Sequence, residues 1–75
     1  MNTADMTLIG SGAQADVYLY EGRAVKVFKP GYRQANARRE AKLQEQVYRY
    51  GLPVPAICEV AEADGRPVIV MEYLS

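Results

Sequence analysis

The stretch Leu8 to Phe28, LIGSGAQADVYLYEGRAVKVF, sets two glycines, Gly10 and Gly12, ahead of a strand-like run that ends in a lysine, Lys26. Glycines at this spacing let a backbone approach a phosphate closely, and they serve equally well as plain turn residues. A phosphate loop of this kind would carry a third glycine at position 15, where alanine stands. The loop is followed by a strand, so the dinucleotide-binding design, which needs a helix N-terminus facing the pyrophosphate, is excluded. No Gly-Lys-Ser/Thr follows either, which removes the Walker-type loop. What remains is a glycine hairpin whose backbone amides, around Ser11, Gly12, Ala13, Gln14 and Ala15, could lie over phosphates.

Lys26 and Glu40 carry the rest of the chemistry. Strand alternation puts Ala24, Lys26 and Phe28 on one face and Val25 and Val27 on the other. A lysine there either guards an exposed sheet edge or aims its charge into a cleft. Glu40 falls in a helical segment, on the stripe expected to face the sheet. A carboxylate pointing inward needs a partner, because an unpaired buried charge is costly. Lys26 is the obvious one.

Composition narrows the chemistry further. The 75 residues contain no histidine and no tryptophan, and a single cysteine, Cys58. Imidazole acid–base catalysis and Cys/His metal sites are thereby excluded, leaving carboxylates, lysine, arginine and backbone amides. Cys58, within AICEV, reads as a small apolar strand residue. Nine basic residues balance nine acidic ones, so no global field favours nucleic acid or an anionic membrane. No apolar run reaches the roughly 18 residues of a membrane span, and MNTADMTLIG lacks the regions of a signal peptide. A cytoplasmic location is the expectation.

The elements that must position these residues are legible in outline. Residues 6–10 and 15–20 read as strands, and EGR (21–23) turns the chain into a third strand at 24–28 that ends at Pro30-Gly31. From 34 to 50 the period becomes helical. Leu43, Val47 and Tyr50 form an apolar stripe continued upstream by Ala37 and Glu40, while Arg38, Lys42, Glu45 and Arg49 run along a charged face. Gly51 stops the helix, and LPVP enforces extended chain. Two more strands, 57–63 and 67–73, flank the hairpin signal Asp64-Gly65. The order β-β-β-α-β-β predicts a single α+β domain over residues 1–75, a five-stranded antiparallel sheet with one packed helix.

Taken in order, these features resemble the N-terminal lobe of the protein-kinase-like superfamily. The matching residues are Ile9-Gly10-x-Gly12-x-x-Ala15-x-Val17, Ala24-Val25-Lys26, Glu40 and the hinge-like Met71-Glu72-Tyr73-Leu74. The resemblance implies an ATP site. Amides from Ser11 to Ala15 would cover the phosphates, and Lys26 would pair with the α- and β-phosphates while Glu40 holds it. Ile9, Val17 and Ala24 would roof the adenine, Met71 would line the back of the pocket, and backbone groups of Glu72 and Leu74, or Tyr73, would bond the adenine edge.

Within the superfamily, RREA…GLPVP is similar to aminoglycoside- and choline-type small-molecule phosphotransferases. GAQADVY, GYR and VMEY are also similar to compact atypical kinases of the RIO and tRNA-modification-associated kinds. The resemblance further implies a second lobe, bearing the catalytic aspartate and the Mg²⁺ ligands, that these 75 residues do not contain. The expectations are therefore an inactive lobe with weak ATP affinity. An apolar face of Ile9, Val17, Ala24, Met71 and Leu74 should be prone to self-association through that face or through strand edges. A non-catalytic binding or assembly module of the same shape is the alternative from a different class.

Overall fold

A computed structural model describes residues 3–74. The expected domain span of 1–75 exceeds this by Met1, Asn2 and Ser75, which lie outside the described residues. A short 3-10 turn, Thr3–Asp5, precedes strands β1 (Thr7–Ser11), β2 (Ala15–Tyr20) and β3 (Arg23–Phe28). Helix α1 (Gln34–Arg49) follows, then β4 (Ile57–Ala63) and β5 (Arg66–Glu72). The strands form one antiparallel sheet in the order β1-β2-β3-β5-β4. The α+β architecture and element order are those the sequence predicts.

Two tight hairpins set the sheet's register. Glu21-Gly22 and Asp64-Gly65 all have positive φ, between 50° and 78°, the geometry of a two-residue turn whose twist matches the flanking strands. β1 meets β2 differently. Its pairing shifts between Leu8, opposite Tyr18, and Gly10, opposite Val17, so Ile9 is an extra residue in a bulge. The bulge returns Gly10 to the face that carries Val17 and brings Ser11 opposite Asp16.

The sheet has an apolar layer on each face. Val25, Val27, Ala63, Val68 and Val70 form one, with Met6, Tyr18, Tyr20 and Ala61 packed against it. The other joins Ala15, Phe28 and Ile69 to Ala37 and Ala41 of the helix. The strand alternation expected for residues 24–28 places both sets correctly.

The helix is built from good helix formers, but its buried stripe is not the expected one. Ala37 and Ala41 face the sheet and are buried, whereas Leu43 is 61% exposed and Tyr50 is fully at the surface. At 100° per residue, Gln34, Ala37, Ala41 and Gln44 share one face, rotated by roughly a quarter turn or more from Leu43 and Tyr50. The physical reason lies in the flanks. Gln34 and Gln44 donate to the backbone carbonyls of Ala61 (3.4 Å) and Pro55 (2.8 Å), clamping the helix across the sheet. Two alanines between the clamps allow a close approach that Leu43 would prevent. Val47 and Glu40 lie on the flank of this face, half-buried.

Both helix ends have local causes. Tyr32 stacks on Phe28 with ring centroids 4.2 Å apart, which fixes the entry into α1. At the exit Gly51 has φ 87°, and the amides of Gly51 and Leu52 return to the carbonyls of Tyr48 and Val47. This paired closure satisfies the last carbonyls of the helix. Cys58, expected as a small apolar strand residue, is exposed on the edge strand β4, at the register shift between Ile57 and Glu59.

Candidate functional site

β3 is the central strand, so Lys26 cannot be an edge guard. Register explains what it does face. Gly10, Val17, Lys26, Ile69 and Val60 are successive cross-strand partners, one row across the helix-side face. The next row runs Leu19, Ala24, Met71, Ile57. Val17, Ala24, Lys26 and Met71, singled out in three different segments of the sequence, therefore share one face in adjacent rows.

Over that face, Lys26 Nζ lies 2.5 Å from Glu40 Oε2, with the two side chains 31% and 37% exposed. The ammonium is also 5.1 Å from the centroid of the Phe28 ring. The helix flank supplies the carboxylate and the strand end supplies the aromatic face. Both restrict where the ammonium points. An ion pair this accessible contributes about 1 kcal/mol or less to stability, so its value to the fold alone is small.

The pair borders a cleft of about 400 Å³ lined by Gly10, Ser11, Gly12, Gln14, Ala15, Val17, Lys26, Phe28 and Glu40. The two glycines have no conformational need to be glycine, because neither has a positive φ. A Cβ on Gly10 would meet no protein atom within 4 Å, and one on Gly12 would meet only the Ala15 carbonyl at an ordinary 3.6 Å. A positive-φ turn therefore does not account for these glycines. Their missing side chains leave space on the cleft side of the hairpin. Ala15 has a different cause. It is buried with Phe28 and Ile69 in the helix-side core, so its methyl group is structural.

The hairpin's amides are not equally free. Gly12 N–H donates to the Ala15 carbonyl at 2.9 Å, closing the turn. Those of Ala13 and Gln14 make no hydrogen bond to protein among the described residues. At the far end of the cleft face, Glu72 N–H is taken by the Ala56 carbonyl at 3.0 Å, and the Glu72 carboxylate accepts from Ala56 N–H at 2.8 Å. Tyr73 and Leu74 continue beyond β5 with exposed side chains, and Ile9 is exposed at the bulge. Of the singled-out residues, Ile9, Ala13, Ala24, Met71, Glu72, Tyr73 and Leu74 do not line the cleft itself.

Three contributors have weak sequence signals. Phe28 reads as an ordinary strand residue, yet it supports Lys26. Gln44 reads as helix surface, yet its amide reaches the Met71 sulfur at 3.6 Å. Asp16 reads as an ordinary residue of the strand after the glycine loop, yet its carboxylate gathers Ser11, Lys29 and Arg66. The Ser11 hydroxyl and the Lys29 ammonium hold the Asp16 carboxyl below the usual carboxylate range. Among the described residues no group of three or more His, Cys, Asp or Glu side chains converges to hold a metal. None of the described helices is long and apolar enough to cross a membrane.

A glycine hairpin over a lysine–glutamate pair, on a five-stranded sheet with one helix, is an arrangement suited to holding phosphate groups. No curated protein matches the chain. Residues 5–75, nearly its whole length, match the family model described as the Phosphotransferase enzyme family (APH), and the chain belongs to that family, part of the protein-kinase-like superfamily.

Proposed function

We propose that the cleft is one half of an ATP site, in which this chain supplies the roof over the nucleotide for phosphoryl transfer to a small-molecule hydroxyl. One observation carries the reading. The Lys26–Glu40 pair stands beside a hairpin whose two glycines the fold itself does not require. Family membership supports phosphotransfer, and the resemblance of RREA…GLPVP to aminoglycoside- and choline-type enzymes supports the small-molecule acceptor.

In this reading Lys26 meets the α- and β-phosphates and Glu40 keeps its ammonium from folding away. The open amides of Ala13 and Gln14 are the hairpin's donors to phosphate oxygens, while Gly10 and Gly12 clear the approach. Val17 and Ala24, with Ile9 at the rim, cover the adenine. Met71 lies behind it, and the chain from Glu72 to Leu74 runs along its edge. The Mg²⁺ ions that neutralise the transferring phosphate, and the base for the acceptor hydroxyl, are assigned to a second lobe that docks below the cleft.

Thermal unfolding with and without ATP tests the proposal, using Lys26→Ala as control. ATP should raise the midpoint of the parent chain and leave the variant unmoved. Equal midpoints with and without ATP in both proteins would overturn the nucleotide reading and favour a binding module that keeps only the lobe's shape.

A further inference from the structure

Asp16 lies on the opposite face of the sheet from the cleft, in register with Val27 of the second apolar layer. Its carboxylate joins side chains from three other parts of the fold. Ser11 Oγ, at the end of β1, donates to Oδ1 at 2.6 Å. Lys29 Nζ, just past β3, donates to the same oxygen at 3.1 Å, and Arg66 Nη2, at the start of β5, lies 3.6 Å from Oδ2. The second layer of bonds points the same way. Arg66 Nε donates to the Phe28 carbonyl at 2.7 Å, and the Lys29 amide donates to the Gln14 carbonyl at 2.8 Å. The Asp16 side chain is only 16% exposed.

β1 explains why such a knot is needed. It is an edge strand paired only with β2, and the bulge at Ile9 interrupts that pairing one residue before Gly10. Residues 12–14 then leave the sheet altogether. A hairpin attached this loosely would sway over the cleft. The Ser11–Asp16 bond ties its outer strand to a carboxylate that Lys29 and Arg66 fix to the rigid middle of the sheet. A lone surface ion pair would bring one cation. Two cations and a hydroxyl on one carboxylate, from three strand ends, make an anchor.

We propose that Asp16 is a positioning residue that sets the height of the glycine hairpin over the cleft from the opposite face of the sheet. It touches no ligand. It holds the Ala13 and Gln14 amides where phosphate oxygens meet them, so it acts on polyphosphate ligands and is indifferent to a nucleoside. The ligand half of this inference rests on the nucleotide reading, whereas the ordering of the hairpin does not.

The test uses the 75-residue chain with Asp16→Asn and Ser11→Ala, followed by backbone ¹⁵N relaxation and by titration with ATP and with adenosine. Both variants should lose order at residues 12–14 while Val25 and Val68 stay as rigid as in the parent. ATP affinity should fall roughly five-fold, the scale of one partly exposed charged hydrogen bond, with adenosine affinity unchanged. Unchanged order at residues 12–14 in both variants would overturn the inference. So would equal weakening of ATP and adenosine, the mark of general destabilisation. A parent chain that binds neither compound would defeat the nucleotide reading, and the relaxation result alone would then decide the role of Asp16.

Discussion

Lys26 and Glu40 lie 14 residues apart in the chain and 2.5 Å apart in space, one on the central strand and the other on the flank of the only α-helix among the described residues. That flank position leaves both side chains partly accessible. Glu40→Gln should therefore lower stability by less than about 1 kcal/mol. ATP affinity should drop in the same variant, because the ammonium is no longer held over the cleft. Urea unfolding and ATP titration of one protein separate the two effects. Undiminished ATP binding would show that the pair is structural only.

The glycines divide into two kinds with opposite predicted responses. Gly51→Ala forces a side chain into the φ 87° that closes the helix, and should cost about 1–2 kcal/mol. Gly10→Ala meets no protein atom and should leave stability within about 0.5 kcal/mol of the parent, or slightly above it. Its effect belongs to the ligand. Weaker ATP binding with unchanged unfolding is the expected signature, read by the same two measurements.

The helix face is tested by exchanging sizes. Ala41→Leu overfills the contact with Ile69 and Phe28 and should destabilise by about 1–3 kcal/mol. Leu43→Ala, on the exposed side, should change stability by no more than about 0.5 kcal/mol. The reverse ranking would restore the stripe of Leu43, Val47 and Tyr50 as the buried one.

Asp16 gives the chain an acid limb. Its carboxyl titrates below the ordinary value in the folded chain, through the Ser11 hydrogen bond first and that of Lys29 second. The unfolded group titrates near about 3.9. The stabilisation is thus complete above that value and fades as pH falls through the lower folded one. Unfolding midpoints between about pH 5 and pH 2 should fall less steeply for Asp16→Asn than for the parent. Parallel curves would mean that the Asp16 contacts do not stabilise the fold.

Ile9 and Leu74 are 43% and 55% exposed at the two ends of the expected second-lobe face. The chain should accordingly self-associate as concentration rises, and Leu74→Glu should reduce that association in sedimentation velocity. A parent that stays monomeric throughout would refute the contact.

Local signals reported local structure well. Asp64-Gly65 and Gly51 act through their own backbone angles, so the second hairpin and the helix end needed nothing distant to be legible. The alternation from Ala24 to Phe28 was equally readable, because side chains on a strand must alternate. The helix stripe was not. Gln34 and Gln44 look like surface residues until the carbonyls of Ala61 and Pro55 stand opposite them.

The sequence by itself determined the element order and the residues available for chemistry, and it named Lys26 as the partner to expect for Glu40. The first two follow from residue type and spacing; the pairing was an expectation until the helix flank was placed over β3. Only the tertiary structure decided that β3 is central, which removes the edge-guard role from Lys26. It also decided that Gly10 and Gly12 are unconstrained by their own backbone, and that Asp16 joins three strand ends. Strand order, free space and multi-strand contacts are relations between distant segments. No local pattern of residues encodes them, because they exist only once the sheet has closed.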